Sequence, residues 1–314
     1  MWNKAWKYGE GFVFGTVLML IGEILQLIIG SITWSSVHYP INIVLFFGVL
    51  VVVIATYSLR NKFHFCKWMG TVNAAVPCLF FVTLLTVVMG LTRQVPTLSE
   101  PSDPIGITKM LSFWPFVLIY VWMTIIVGIV GTAQIVRLFS KVKGKRAIIS
   151  TLPSLLSHVG LFIILTVGTL GNADMRRVKM HTIKGEPEWR AVDEQQRIVE
   201  LPLTIELNKF IMEEWDDNSS GQHMPKRFAS DVSITTKKGE KINAIIDVNK
   251  PISVEGWKIY QYDYDQSMGA DCDVSIFELV RDPWMPVVYT GIYMLLAGAV
   301  MMFIMSQRRK EESQ

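Results

Sequence analysis

The sequence predicts a polytopic α-helical membrane protein of about six transmembrane helices carrying a single β-rich extracytoplasmic domain. Three observations lead there. Of the 314 residues, 51% are hydrophobic and the mean hydropathy is +0.35, too apolar for an ordinary soluble domain. Six segments, near 11–30, 40–58, 71–92, 112–136, 151–171 and 284–306, are long and nearly uncharged. Each is adequate for a hydrocarbon core of roughly 30 Å. Between the fifth and the sixth the composition changes to alternating apolar and polar residues with turn signals, the signature of strands.

These boundaries divide the chain into a five-helix membrane region, 1–172, an extracytoplasmic β-rich domain, 173–283, and a last transmembrane helix with a basic tail, 284–314. The first span has no small-residue cleavage site behind it and reads as a retained helix rather than a signal peptide. Charge fixes the orientation. One set of span ends carries Lys4 and Lys7, then Arg60, Lys62 and Lys67, then "RLFSKVKGKR", and finally "QRRK". The opposite short connections carry only Arg93 and Lys109, offset by Glu100 and Asp103. By the positive-inside rule both termini are cytoplasmic and 173–283 lies outside. Trp34, Trp114 and Trp284 sit near span ends, as an interfacial belt requires. The 16 methionines read as adaptable membrane packing, and Arg137 as an anchor that snorkels to the interface.

The outer segment holds 15 basic and 21 acidic residues, against 15 and 6 in the rest of the chain. An acidic domain is a poor partner for nucleic acid, which requires a basic face. "RFASDVSITTKKGEKINAIIDV" alternates and turns at "KKGEK"; "GWKIYQYDYD" and "CDVSIFELV" read as further strands. After Trp215 the polar run "DDNSSGQHMPK" predicts a surface loop, and "VNKP" a rigid turn. Tyr260 and Tyr262 share one strand face. About 110 residues can bury one small core.

Much chemistry is excluded. The chain has three cysteines, at 66, 78 and 272, and no C-x-x-C, so it lacks a thioredoxin-like redox pair and a site for covalent haem attachment. Only Cys272 reaches the oxidising side, which disfavours an internal disulfide. No phosphate-cradling glycine loop and no H-E-x-x-H zinc spacing occurs.

Two polar groups stand inside the spans. Glu23, in "LMLIGEILQLIIG", is costly in hydrocarbon, and Gln26 lies one turn further on the same face. A partly hydrated glutamate bonded within the bundle is favoured over a pump carboxylate. His158, in "SLLSHVGLFIIL", lies about seven residues into its span, roughly 10 Å from the cytoplasmic edge. An imidazole there needs a partner. It can bond a neighbouring Ser, Thr or carbonyl and hold helices together, or it can ligate haem iron. Read from the residues alone, both remain open.

Four further stretches carry a resemblance. "SHVGLFIILTVGTLGNADM" (157–175), "RFASDVSI" (227–234), "IDVNKPISVEGWKIYQYDYD" (246–265) and "RDPWMPVVYTGIYMLLAGAVMMF" (281–303) together resemble the ResB-type cytochrome c biogenesis proteins. The resemblance covers 150–306 in the order His-bearing span, external domain, Asp-Pro and last span. It implies a bacterial inner-membrane subunit, not autonomous, of a cytochrome c haem lyase complex. Such a subunit, with a tryptophan-rich membrane partner, transports haem b and presents it to apocytochrome c outside. A thiol reductant is a further candidate partner. The family's transmembrane haem ligand lies in the span before the external domain, and His158 is the matching position, a haem iron axial ligand. Five spans precede the domain here, where many relatives have three, so the first four helices carry over poorly. The tryptophan-rich motif of the partner is absent.

Two other readings compete. A respiratory b-type cytochrome would place paired histidines on facing helices, whereas His38 and His64 are expected in loops. A non-haem anchor or assembly protein would use its external domain to bind a partner, with His158 structural.

Overall fold

The computed structural model describes residues 6–94, 103, 105–139, 145–214, 225–265, 267–269 and 272–311. The expected loop after Trp215 and the basic run at 140–144 lie outside the described residues. The chain forms two compact units, Met1–Ala173 with Trp284–Gln314, and Asp174–Pro283.

The first unit contains α1 (Tyr8–Ile29), α2 (Ile41–Leu59), a short α3 (His64–Met69), α4 (Val72–Leu91), α5 (Trp114–Phe139), α6 (Lys145–Gly171) and α7 (Met285–Glu311). Six of these, all but α3, are long and apolar enough to cross a membrane. Such a helix satisfies its own backbone, the requirement hydrocarbon imposes on any spanning segment. Large side chains such as Val13, Leu20, Ile28, Phe47 and Val51 are exposed, so they are the lipid-facing surface of α1 and α2.

Helices in lipid gain nothing by hiding one apolar surface on another, so close packing must hold them together. α1 does this with glycine. A Cβ on Gly11 would stand 2.6 Å from the Pro77 ring of α4, one on Gly15 would collide with Phe81, and one on Gly22 would lie 2.6 Å from the Pro115 backbone of α5. α6 and α7 cross as tightly: a Cβ on Gly160 would stand 2.6 Å from the Gly291 carbonyl oxygen. Gln26, 5% exposed, accepts from the Trp114 backbone N–H at 3.4 Å and donates to Ser31 Oγ at 2.9 Å. It thereby occupies a free donor at the start of α5. The indoles of Trp34 and Trp114 donate to the carbonyls of Leu111 and Gly30, tying the loops at that end of the bundle.

His64 does not lie in a loop; it opens α3. Six residues are too few to show a helical period, which is why the sequence pattern missed this element. Aromatic contacts fix it in place: Trp68 packs against Trp6 at 5.0 Å and Phe14 at 5.8 Å, and Phe14 against Trp122 of α5 at 5.0 Å.

The second unit is one antiparallel sheet of eight strands, in the order β5-β4-β3-β2-β1-β8-β7-β6. The strands are β1 (Arg176–Ile183), β2 (Pro187–Asp193), β3 (Ile198–Glu214), β4 (Pro225–Thr236), β5 (Lys241–Asp247), β6 (Ile252–Val254), β7 (Trp257–Tyr264) and β8 (Val274–Arg281). β4 and β5 form the hairpin expected around "KKGEK", with Ile234 opposite Ile242 and Gly239 at φ 81° in the turn. Alternation puts Met180, Leu203, Ile205, Leu207, Val232, Ile234, Ile259, Phe277 and Leu279 on the buried face, each worth about 1.5–3 kcal/mol when withdrawn from water. Tyr264 of β7 stacks on Phe210 of β3 at 4.8 Å and meets Phe228 of β4 at 5.1 Å. Those strands are not neighbours in the sheet, so it curls over its own core. Tyr260 and Tyr262 alternate with the buried Trp257, Ile259 and Gln261 and so share the outer face.

Inside this core lies a polar cluster. Ser230 Oγ donates to Gln261 Oε1 at 2.7 Å and lies 2.7 Å from Ser275 Oγ, while the Gln261 amide donates to the Asp263 carbonyl at 3.0 Å. Ser230 and Ser275 are fully buried. The cluster links β4 to β7 and β8 across the curl. On the surface, Arg227 grips Asp247 through two bonds, at 2.6 and 3.1 Å, and Glu213 through a third at 2.7 Å. The hydrogen bonds and charge of Arg227 hold the Asp247 carboxyl below its ordinary range despite some burial.

Replacing Gln261 with Leu removes the acceptor of the buried Ser230 hydroxyl and leaves it only its contact with Ser275, a change that costs about 1 kcal/mol. Urea unfolding of residues 174–283, expressed as a fragment and followed by circular dichroism, should register that loss.

Candidate functional site

Five elements meet at the basic end of the helix bundle and enclose a cavity of about 740 Å³. Ligand sites of cofactor size occupy about 300–1,000 Å³. The C-terminal end of α2 contributes Tyr57 and Arg60; α3 contributes Cys66 and Lys67; the turn into α4 contributes Gly70 and Thr71, and the first turn of α4 Val72 and Ala75. Ile126, Ile129, Val130, Ala133, Gln134 and Arg137 come from α5, and His158 from α6. The walls are therefore partly aliphatic, interrupted by Tyr57, Thr71 and Gln134, with cations at the helix ends.

His158 is half-buried in this wall. Its Nδ1 lies 2.7 Å from the Ser154 carbonyl oxygen, one turn back. A carbonyl oxygen only accepts, so Nδ1 must carry the proton and donate it. In the neutral ring Nε2 then holds an unprotonated lone pair. No described residue hydrogen-bonds Nε2; the remaining contact, Ser154 Oγ at 3.4 Å, is also to Nδ1. Gln134 of α5 donates to Ser154 Oγ at 3.1 Å and ties the two helices beside the ring. A metal-ligating histidine is commonly held in this way, its outer N–H fixed by a carbonyl while the other nitrogen faces the metal.

Neighbouring helices set the position of α6. Gly131 of α5 lies under His158, where an added Cβ would already touch the His158 backbone and Cβ at 3.9 Å. On the far side Gly160 meets Gly291 of α7. The imidazole is thus carried on a helix clamped from both sides.

Of the residues that the sequence marked, the structure brings His158 and Arg137 to the cavity and leaves Glu23 out of its lining. Glu23 is half-buried, and no described residue hydrogen-bonds its carboxylate. His38 lies in a turn at the opposite end of α2, its Nδ1 2.8 Å from the Ser35 carbonyl. Cys66 and Lys67 were not foreseen as site residues. The available signal was the aromatic run Phe63–Trp68 in a connection between spans, where an exposed loop would be polar. All three cysteines are free.

The aliphatic wall, the unbonded Nε2 and the cationic rim together suit a ligand that is apolar in body, anionic at one edge and open to a nitrogen donor. They do not resemble a zinc or calcium site: among the described residues no group of three His, Cys, Asp or Glu side chains converges.

Comparison with known proteins agrees with the resemblance seen in the sequence. Residues 135–276 match the ResB-like family. Two curated proteins, each named cytochrome c biogenesis protein CcsB, from Prochlorococcus marinus strains NATL1A and NATL2A, are 25% identical to this chain over 124 residues. That stretch is 40% of this chain and 27% of theirs, so the likeness spans about a quarter of the relatives' length. Among solved structures, cytochrome c heme lyase CcmF aligns with a TM-score of 0.35 and 11% identity, over 82% of this chain and 44% of that one.

The cavity makes Cys66 half-exposed, whereas Cys78 is 1% exposed. Brief treatment of the detergent-solubilised protein with a maleimide should therefore alkylate Cys66 and spare Cys78, as read by peptide mass spectrometry.

Proposed function

Proceeding from the ResB-like match over residues 135–276, we propose that this chain is a cytochrome c maturation factor of a bacterial cytoplasmic membrane. It receives haem b at His158 and, with a tryptophan-rich membrane partner, presents it to apocytochrome c outside. The observation that carries this reading is the arrangement of His158, whose Nδ1 is held by the Ser154 carbonyl, whose Nε2 has no hydrogen-bond partner among the described residues, and which lines a cofactor-sized cavity. The two curated relatives, both named for cytochrome c biogenesis, support it.

Haem is the cargo. His158 Nε2 would hold its iron from this chain, with a histidine of the partner as the natural second ligand. Val72, Ala75, Ile126, Ile129 and Val130 would lie against the ring and shield the iron–imidazole bond from water. The basic ends of the spans support a cytoplasmic position for the cavity; in this reading loading is from that side, with both termini cytoplasmic and 173–283 outside. The outer domain positions the partner or the apocytochrome, and Tyr260 and Tyr262 on its outward strand face are candidates for that contact. The chain does not complete the ligation alone.

A second reading, a non-haem anchor, is favoured by one observation. The Ser154 bond and the Gln134–Ser154 contact are also what a purely structural histidine would make.

The two readings separate in His158→Ala, co-expressed with the partner. The substitution removes a polar group from hydrocarbon, so membrane insertion should persist. Cytochrome c yield should fall at least by the roughly 10–100-fold that an outer partner of a metal ligand commands. Added imidazole should restore part of it, because a free base replaces a ligand and does not repair helix packing. Wild-type yield in the variant would leave the anchor reading standing.

A further inference from the structure

We propose that Arg60 and Lys67 form a carboxylate clamp at the mouth of this cavity, receiving the two propionates of the tetrapyrrole and so fixing which edge of it stays at the membrane surface. The inference rests on the reading of His158 above.

Three observations carry it. The cavity lining contains three cationic side chains and no Asp or Glu. A space of that kind, with an aliphatic wall from Val72, Ala75, Ile126, Ile129 and Val130, is complementary to a ligand that is apolar in body and anionic at one edge. Second, no described carboxylate pairs with Arg60 or Lys67; the described ion pairs all join residues of the β-domain. The third cation, Arg137, already engages another group and is left out of the clamp. Third, Arg60 is pre-positioned. Its guanidinium lies 3.7 Å from the centroid of the Tyr57 ring, so one face is held by an aromatic plane while the N–H edges stay open to a carboxylate. Arg60 also caps the C-terminus of α2, where unpaired carbonyls favour a cation. Lys67, exposed on α3, adds a mobile ammonium from a separate element.

Physical necessity points the same way. A dicarboxylate cannot enter hydrocarbon with its charges leading, since each buried unpaired anion is prohibitive. A tetrapyrrole whose iron meets His158 inside the bundle must leave its propionates at the rim, where these cations stand. Basic residues at span ends also attract anionic lipid headgroups, and the test must separate the two sources of negative charge.

The test uses the full-length protein in detergent, titrated with ferric haem b and with its dimethyl ester, which keeps the ring and iron but loses both charges. Wild type should bind the diacid about tenfold more tightly than the ester, the scale of two partly solvated charge pairs. The Arg60→Gln/Lys67→Gln double variant should lose that preference while keeping its affinity for the ester and the wild-type Soret position. Unchanged discrimination in the double variant overturns the clamp. So does a double variant that loses only co-purifying phosphatidylglycerol, because the rim would then be a lipid anchor. If wild type shows no haem spectrum that depends on His158, the clamp and the reading beneath it fall together. A His158-dependent spectrum with unaltered ester discrimination sinks the clamp alone.

Discussion

A donor placed in hydrocarbon must find an acceptor, and the proton of His158 goes to the Ser154 carbonyl at 2.7 Å. The rest of the site depends on that bond. It fixes the tautomer, so the lone pair is on Nε2, and it fixes the ring, because the acceptor belongs to the same helix one turn earlier. Ser and Thr side chains elsewhere in these spans return to their own helix in the same way, for example Thr132 to Gly128 and Thr166 to Phe162. Those bonds end the side chain's chemistry. The imidazole differs, because satisfying one nitrogen leaves the other free.

A free nitrogen is useful only if its helix holds still, and helix-to-helix contact in lipid cannot rely on hydrophobic burial. The sequence supplies glycines at the crossings instead. Gly160 and Gly291 bring α6 and α7 to near backbone contact, and Gly131 lets α5 lie against the His158 backbone. Gln134 adds a bond between α5 and Ser154. Sites carried on packed helices hold geometry better than sites on loops, and here most of the aliphatic wall comes from α5 and the imidazole from α6. The outer domain achieves the same rigidity by different means. It has a water-driven core, and the Ser230–Gln261–Ser275 cluster ties strands that are not neighbours.

The spans were legible because their signal is nearly binary: about twenty apolar residues between charged ends. The hairpin of β4 and β5 and the strands β7 and β8 were legible by alternation. β1, β2 and most of β3 were not singled out. Register shifts in β2 at Glu188–Arg190 and in β3 at Leu207–Lys209 interrupt the period on which the reading depends. α3 escaped because it is shorter than two turns. Gln26 and Glu23 were grouped by spacing, yet only Gln26 is buried with partners, since a shared face says nothing about what lies opposite. The cavity could not be seen at all. It is a space between five elements, and no pattern along any one of them encodes it, although its most telling residue, the lone histidine deep in a span, stood out at once.

The central claim is that His158 Nε2 binds iron. Pulsed electron paramagnetic resonance of the ferric haem complex, made with 15N-histidine protein and observed at the imidazole couplings, tests it directly. A strongly coupled histidine nitrogen in wild type that disappears in His158→Ala is the predicted result. The same coupling in both proteins would place the iron on another residue and contradict the account.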